Sequence, residues 1–154
     1  MADQPVPAPA PTGHEGVLAN VPLFAGLSEP ALTALEGFTF KRTYRPGEII
    51  VAEGRTGNGL FVVLSGRVEV YKGDPATHAQ VLATFGPGES FGEMALFGEW
   101  KRTASVRAIE DTTCVGIDRW VFLAYLRREP ELSWRVIQFL AQRLAEANEK
   151  LLER

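Results

Sequence analysis

Leu60-Phe-Val-Val-Leu-Ser-Gly-Arg-Val-Glu-Val-Tyr-Lys72 is the stretch that decides the fold. Leu60 to Leu64 and Arg67 to Lys72 are short β-rich runs, and Ser65-Gly66 between them has the turn chemistry of a hairpin. In the second run Val68 and Val70 alternate with Glu69 and Tyr71, which predicts one buried and one wet face.

Outward from this pair, the same short-run pattern holds from about Phe38 to Ile117. It is punctuated at Pro46-Gly47, Gly54 to Gly59, Gly73 to Pro75 and Gly86-Pro-Gly88. Turns recur roughly every 8–12 residues, the spacing of an antiparallel sandwich or barrel. Further strands are expected at Ile49 to Ala52, Val81 to Phe85, Thr103 to Ile109 and Thr113 to Ile117.

Helical signals flank the β region. Ser28 is a candidate N-cap with Glu29 and Pro30 in the first turn, and Ala31, Leu32 and Leu35 then fall on one face. Asp118 is a candidate N-cap for a helix from Arg119 to Arg127, and Pro130 opens a longer one over 130–152. In the long helix Ile137, Leu140, Leu144, Ala147 and Leu151 step by three, four, three and four, the spacing of a coiled-coil seam. This predicts a homodimer surface; the alternative is a helix packed on its own barrel. Trp120 and Trp134 read as packing residues of these two helices, and Trp100 as a loop residue packed across a barrel edge.

With 154 residues, 45% hydrophobic and 23% charged, the chain is long enough for one good core. Residues 1–15, with Pro5, Pro7, Pro9 and Pro11 among small residues, read as a disordered Pro/Ala-rich tail, and 16–154 as the domain. A net charge of -3 with scattered basic residues argues against a nucleic-acid surface. The single cysteine, Cys114, sits in an apolar run, which suits a reducing, cytoplasmic compartment. No apolar run approaches the roughly 18 residues of a membrane span. His14 lies in the tail and His78 in a polar loop, so no metal-ligand cluster is expected. With no P-loop, no Ser–His pairing and no activated cysteine, the chain reads as a non-enzyme without a cofactor.

What remains is Phe91-Gly-Glu-Met-Ala-Leu96 followed by Arg102-Thr-Ala104, which sets an acid, Glu93, and an arginine, Arg102, either side of a short turn. These segments occur together with Phe24-Ala-Gly-Leu-Ser28, Tyr44-Arg-Pro-Gly-Glu48, Leu60-Phe-Val-Val-Leu-Ser-Gly66 and Phe85-Gly-Pro-Gly-Glu89, in the order helix, about eight strands, two helices. By these features the chain resembles the cyclic nucleotide-binding domain family over about Leu23 to Leu152. That family includes bacterial catabolite activators, protein kinase A regulatory subunits and cyclic-nucleotide-gated channels.

The resemblance implies a mainly β fold with flanking α: an antiparallel β-roll (double-stranded β-helix, jelly-roll-like) with a short N-terminal helix and two C-terminal helices. It implies cyclic AMP or cyclic GMP as ligand, held by Phe91, Gly92, Glu93, Met94, Ala95, Arg102, Thr103 and Ala104. Arg102 would pair with the exocyclic phosphate oxygens and Glu93 would accept the ribose 2′-hydroxyl, while backbone near Gly92, Ala95 and Thr103 would add hydrogen bonds. A planar guanidinium suits two oxygens of one phosphate, and inward-pointing amides suit the same anion.

In the family, a Thr at the position of Thr103 can bond guanine. Catabolite activators reach the base with a Thr-Ser pair where this chain has Ala147-Asn148, so Asn148 is the candidate there and adenine recognition is left open. The final helix would close over the base and relay binding. Catabolite activators continue into a helix-turn-helix domain, and with the sequence stopping at Arg154, direct DNA binding is not expected and the downstream partner is unnamed. The competing expectation is a protein-interaction module of the same fold, with a vestigial pocket or another anionic ligand such as a cyclic dinucleotide.

Overall fold

The computed structural model describes residues 16–152; the tail expected over 1–15 lies outside them. Among the described residues are eight strands in two antiparallel four-stranded sheets: β1 (Phe40–Tyr44), β2 (Ile49–Val51), β3 (Gly59–Ser65), β4 (Val68–Asp74), β5 (His78–Phe85), β6 (Ser90–Phe91), β7 (Ser105–Ala108) and β8 (Thr112–Asp118). The first sheet runs β1-β8-β3-β6 and the second β2-β7-β4-β5. Helices α1 (Glu29–Glu36), α2 (Arg119–Arg128) and α3 (Pro130–Leu152) flank this jelly-roll-like body, with 3₁₀ turns at Val17–Asn20, Pro22–Phe24 and Glu93–Leu96.

Ser65-Gly66 is a turn, but it does not make a hairpin. β3 pairs with β8 and β6, while β4 pairs with β5 and β7, so the chain crosses from one sheet to the other at Gly66. Gly66 has φ +90, and a Cβ there would run into the Asp111 carbonyl and Thr112. The neighbouring crossover from β7 to β8 is tied to it by Thr112 Oγ1, which donates to the Arg67 carbonyl at 3.1 Å. The true hairpin joins β4 to β5, with Asp74 opposite His78 and Asp74 Oδ1 accepting from Ala76 N–H at 2.9 Å. His78 therefore opens a strand and does not sit in the loop.

Other expectations change as well. Tyr71 is buried although it stays on the face opposite Val70, with Arg107 4.6 Å over its ring; the bulge in the pairing with β5 lies in β5, at Leu82. Glu69, the cross-strand partner of Arg107, ion-pairs with that guanidinium, so charge roofs an outer face that alternation alone would leave wet. Trp120 and Trp134 are 65% and 60% exposed, since the apolar stripes of their helices run through Phe122 and through Leu132 and Val136 instead. Trp100 is half exposed and lies against Gly98. Strand β7 begins at Ser105, so Thr103 and Ala104 lead into it from outside.

The caps behave as the sequence predicts: Ser28 Oγ accepts from Ala31 N–H at 3.4 Å and Asp118 Oδ1 from Trp120 N–H at 2.8 Å. Glu131 binds Ser28 twice, at 2.7 Å to its N–H and 3.1 Å to its hydroxyl, which fastens the start of α3 to the start of α1. One core lies between the first sheet and the helices, built on Leu18, Phe24, Leu60, Ile117, Phe122 and Leu132. Each such side chain stabilises the fold by about 1.5–3 kcal/mol through burial. A smaller core, Val63, Val68, Phe91, Val106 and Cys114, fills the inside of the roll. Burial pushes the Cys114 thiol up to about 11, consistent with a packing role.

Ile137, Leu144 and Leu151, by contrast, are exposed, as is Ala147, and Leu140 is only partly covered. α3 enters the core through Leu132 and Val136 in its first half, against the Pro22–Phe24 turn and α2. Among the described residues no helix is long and apolar enough to cross a membrane.

Candidate functional site

The site grows from the short strand β6. Its Phe91 stacks on Phe61 of β3 at 5.5 Å between centroids and on Phe85 at 6.4 Å, so an aromatic row leads from the roll interior to the turn. Gly92 follows in the left-handed region (φ 84), which reverses the chain and opens the 3₁₀ turn Glu93–Leu96. Ala95 and Leu96 are buried and anchor that turn, and Ala95 N–H donates to the Gly92 carbonyl at 3.1 Å.

Arg102 returns to the same spot from the far end of the following loop. Its backbone is fixed between Arg55 and Gly54, with Arg102 N–H donating to the Arg55 carbonyl at 2.7 Å and Gly54 N–H to the Arg102 carbonyl at 2.9 Å. Its guanidinium lies half-buried, donating from Nη2 to the Gly59 carbonyl at 2.9 Å and from Nη1 to the Gly92 carbonyl at 3.3 Å. Nε is buried with no partner. Burial lowers the pKa of Arg102 and the charge of Glu93 opposes that shift. The result is a desolvated cation with an unmet demand for negative charge.

A cavity of about 590 Å³ opens at this point, within the usual range of small-molecule sites. Phe91, Gly92, Glu93, Arg102, Thr103 and Ala104 line one side, and apolar Val51, Val70, Ala83, Phe85 and Val106 of the roll line another. Gly88 to Ser90, Asn20 to Leu23 of the N-terminal segment, and Phe139 and Arg143 of α3 complete it. Arg143 Nη2 lies 3.6 Å from Glu93 Oε1, and its guanidinium sits 5.1 Å over the Phe139 ring.

Three expected residues stand apart. Met94 is exposed, Ala95 is packed beneath the turn, and Asn148 is exposed on α3; none of them lines the cavity. Asn148 follows Arg143 by five positions, which at about 100° per residue turns it roughly 140° around the helix.

The α3 residues that do reach the cavity, Phe139 and Arg143, were not singled out from sequence. Their i, i+4 spacing on a face beside the apolar row was the available signal. Among the described residues no group of three or more His, Cys, Asp or Glu could hold a metal ion.

The family described as the cyclic nucleotide-binding domain matches residues 41–129. The chain is similar to the cyclic AMP receptor protein of Thermus thermophilus, at 37% identity over 84% of this chain and 60% of that protein. It is similar to cGMP-dependent protein kinase 2 of Rattus norvegicus, at 37% identity over 58% of this chain and 11% of the kinase. Among solved structures, the N-terminal domain of a transcriptional regulator from Streptomyces coelicolor superposes with a TM-score of 0.81 at 29% identity, covering 88% of this chain and 94% of that one. The chain spans about 60% of the length of the Thermus thermophilus protein and of a CRP-like regulator of Mycobacterium tuberculosis.

Proposed function

The chain belongs to the cyclic nucleotide-binding domain family, and from that premise we propose that it senses cyclic AMP or cyclic GMP through Arg102 and Glu93 and relays occupancy through α3. The observation that carries this reading is the state of Arg102: a half-buried guanidinium with one unpartnered N–H at the edge of a mononucleotide-sized cavity, with a carboxylate close by.

The two polar ends of a cyclic nucleotide match these groups. The cyclic phosphate supplies the negative charge Arg102 lacks, in a geometry a planar guanidinium can grip at two oxygens. The ribose 2′-hydroxyl donates to the Glu93 carboxylate, which would repel the phosphate and so takes the sugar side. A 2′-deoxy ligand leaves that acceptor without its donor, at a cost of about 1–3 kcal/mol. The base lies against the apolar wall of Val70, Ala83 and Phe85.

Because Arg143 pairs with Glu93, sugar binding and the position of α3 share one residue. A ligand shifts α3 only as far as it contacts the helix differently in its two positions. The exposed row of Ile137, Leu140, Leu144, Ala147 and Leu151 supports a homodimer seam as the receiver of that shift. The free, buried Cys114 fits a reducing compartment, and the cytoplasm is the address assigned.

Thermal melts with cyclic AMP, cyclic GMP and a cyclic dinucleotide test the reading. A ligand present at about 100 times its Kd raises stability by about 2.7 kcal/mol, and Arg102→Ala should remove most of the gain. Stabilisation by the cyclic dinucleotide alone, or by none of the three, would replace the sensor by the interaction-module reading.

A further inference from the structure

Gly57 lies in the loop between β2 and β3, buried, and outside every contact assigned so far. Its φ is not in the left-handed region, so the backbone there places no special demand for glycine. What excludes a side chain is Arg102. A Cβ built on Gly57 would overlap Nε and Cζ of that guanidinium and approach Nη2 to 2.8 Å.

The Nη1 end is just as close to Gly92. A Cβ on Gly92 would overlap Nη1 and come to 3.3 Å from Cζ. Nη1 and Nη2 are aimed at the Gly92 and Gly59 carbonyls. The loop carrying Gly57 is itself held to the loop carrying Arg102, since Gly57 N–H donates to the Trp100 carbonyl at 3.4 Å and Thr56 bridges to Lys101.

From this geometry we infer that Gly57 is a positioning residue for anion capture: its missing side chain leaves the room in which the Arg102 guanidinium lies while Nη1 and Nη2 hold their two carbonyls. The inference rests on Arg102 being the phosphate contact. A methyl group at position 57 meets only the far end of a long side chain, so the fold accommodates it by moving that end. Nη1 and Nη2 are held by the Gly92 and Gly59 carbonyls, so a displaced guanidinium leaves its plane and gives up a carbonyl partner. Phosphate recognition at two oxygens depends on that plane, which makes the loss one of binding and not of folding.

The test compares wild type, Gly57→Ala, Arg102→Ala and the double variant, by calorimetric titration with cyclic AMP and cyclic GMP and by melting without ligand. Gly57→Ala should weaken binding by about tenfold or more while its unliganded melting temperature stays within about 2 °C of wild type. The Arg102 Nε–H resonance in a nitrogen-15 spectrum should move. If Gly57→Ala melts lower, adding Arg102→Ala should restore the difference, because the obstructed group is then gone.

A folded Gly57→Ala with wild-type affinity overturns the inference, and so does a melting loss that persists in the Arg102→Ala background. Failure of the wild type to bind either nucleotide is a separate result that counts against the sensor reading. The melting comparison between backgrounds still decides whether Gly57 acts through Arg102.

Discussion

In α3, Leu132 and Val136 are sealed against the roll, whereas Leu144 and Leu151 further along the same helix each leave 64% of their surface in solvent. Between them lie Phe139 and Arg143, which face the cavity. The contrast shows how one continuous helix can be anchored at one end and free to respond at the other. Its first turns belong to the core, its middle lines the cavity, and its last turns expose an apolar row.

Changes along α3 test this division, and their effects should fall in order. Leu132→Ala empties a fully buried position and should cost about 2–5 kcal/mol in a denaturant titration; a loss below about 1 kcal/mol would mean that the first half is no anchor. Arg143→Ala should leave unliganded stability within about 1 kcal/mol, because the ion pair with Glu93 is partly exposed. It should nevertheless lower nucleotide affinity several-fold and reduce the ligand-dependent protection of α3 amides from hydrogen exchange more than that of the roll. Equal protection in both regions would uncouple the helix from the site.

Phe139→Leu keeps the apolar volume but removes the ring beneath Arg143. It should reduce affinity by a smaller factor than Arg143→Ala in the same calorimetric titration, since an exposed cation–π contact contributes only about 0.5–1 kcal/mol. Leu144→Ser should change monomer stability least, within about 0.5 kcal/mol, while shifting sedimentation towards the monomer. Unchanged sedimentation of a dimeric wild type would move the seam elsewhere.

The sheets were legible in the sequence to the extent that their causes are local. Alternation in Val68 to Tyr71 and the Gly and Pro punctuation located most strands, and Ser28 and Asp118 marked two helix starts through hydrogen bonds they make within three residues. Which strands pair is set by distant partners, so Ser65-Gly66 looked like a hairpin and proved a crossover. β6 has two residues, too few to show a period.

The cavity residues Glu93 and Arg102, the proposed clamp, were visible because both sit in one short motif. Arg143 was not, because its meaning depends on a helix folding back over Glu93 from fifty residues away in sequence. Asn148 was placed by counting along a motif, and the turn of the helix carries it off the cavity.

Cys114 offers a clock inside the roll. It is the chain's one thiol, buried between Val63 and Val115, and burial keeps its proton on until about 11. A thiol reagent at neutral pH must therefore wait for the two sheets to part. Its labelling rate counts those openings, and any nucleotide that holds the roll shut will slow the count without a probe having to be attached.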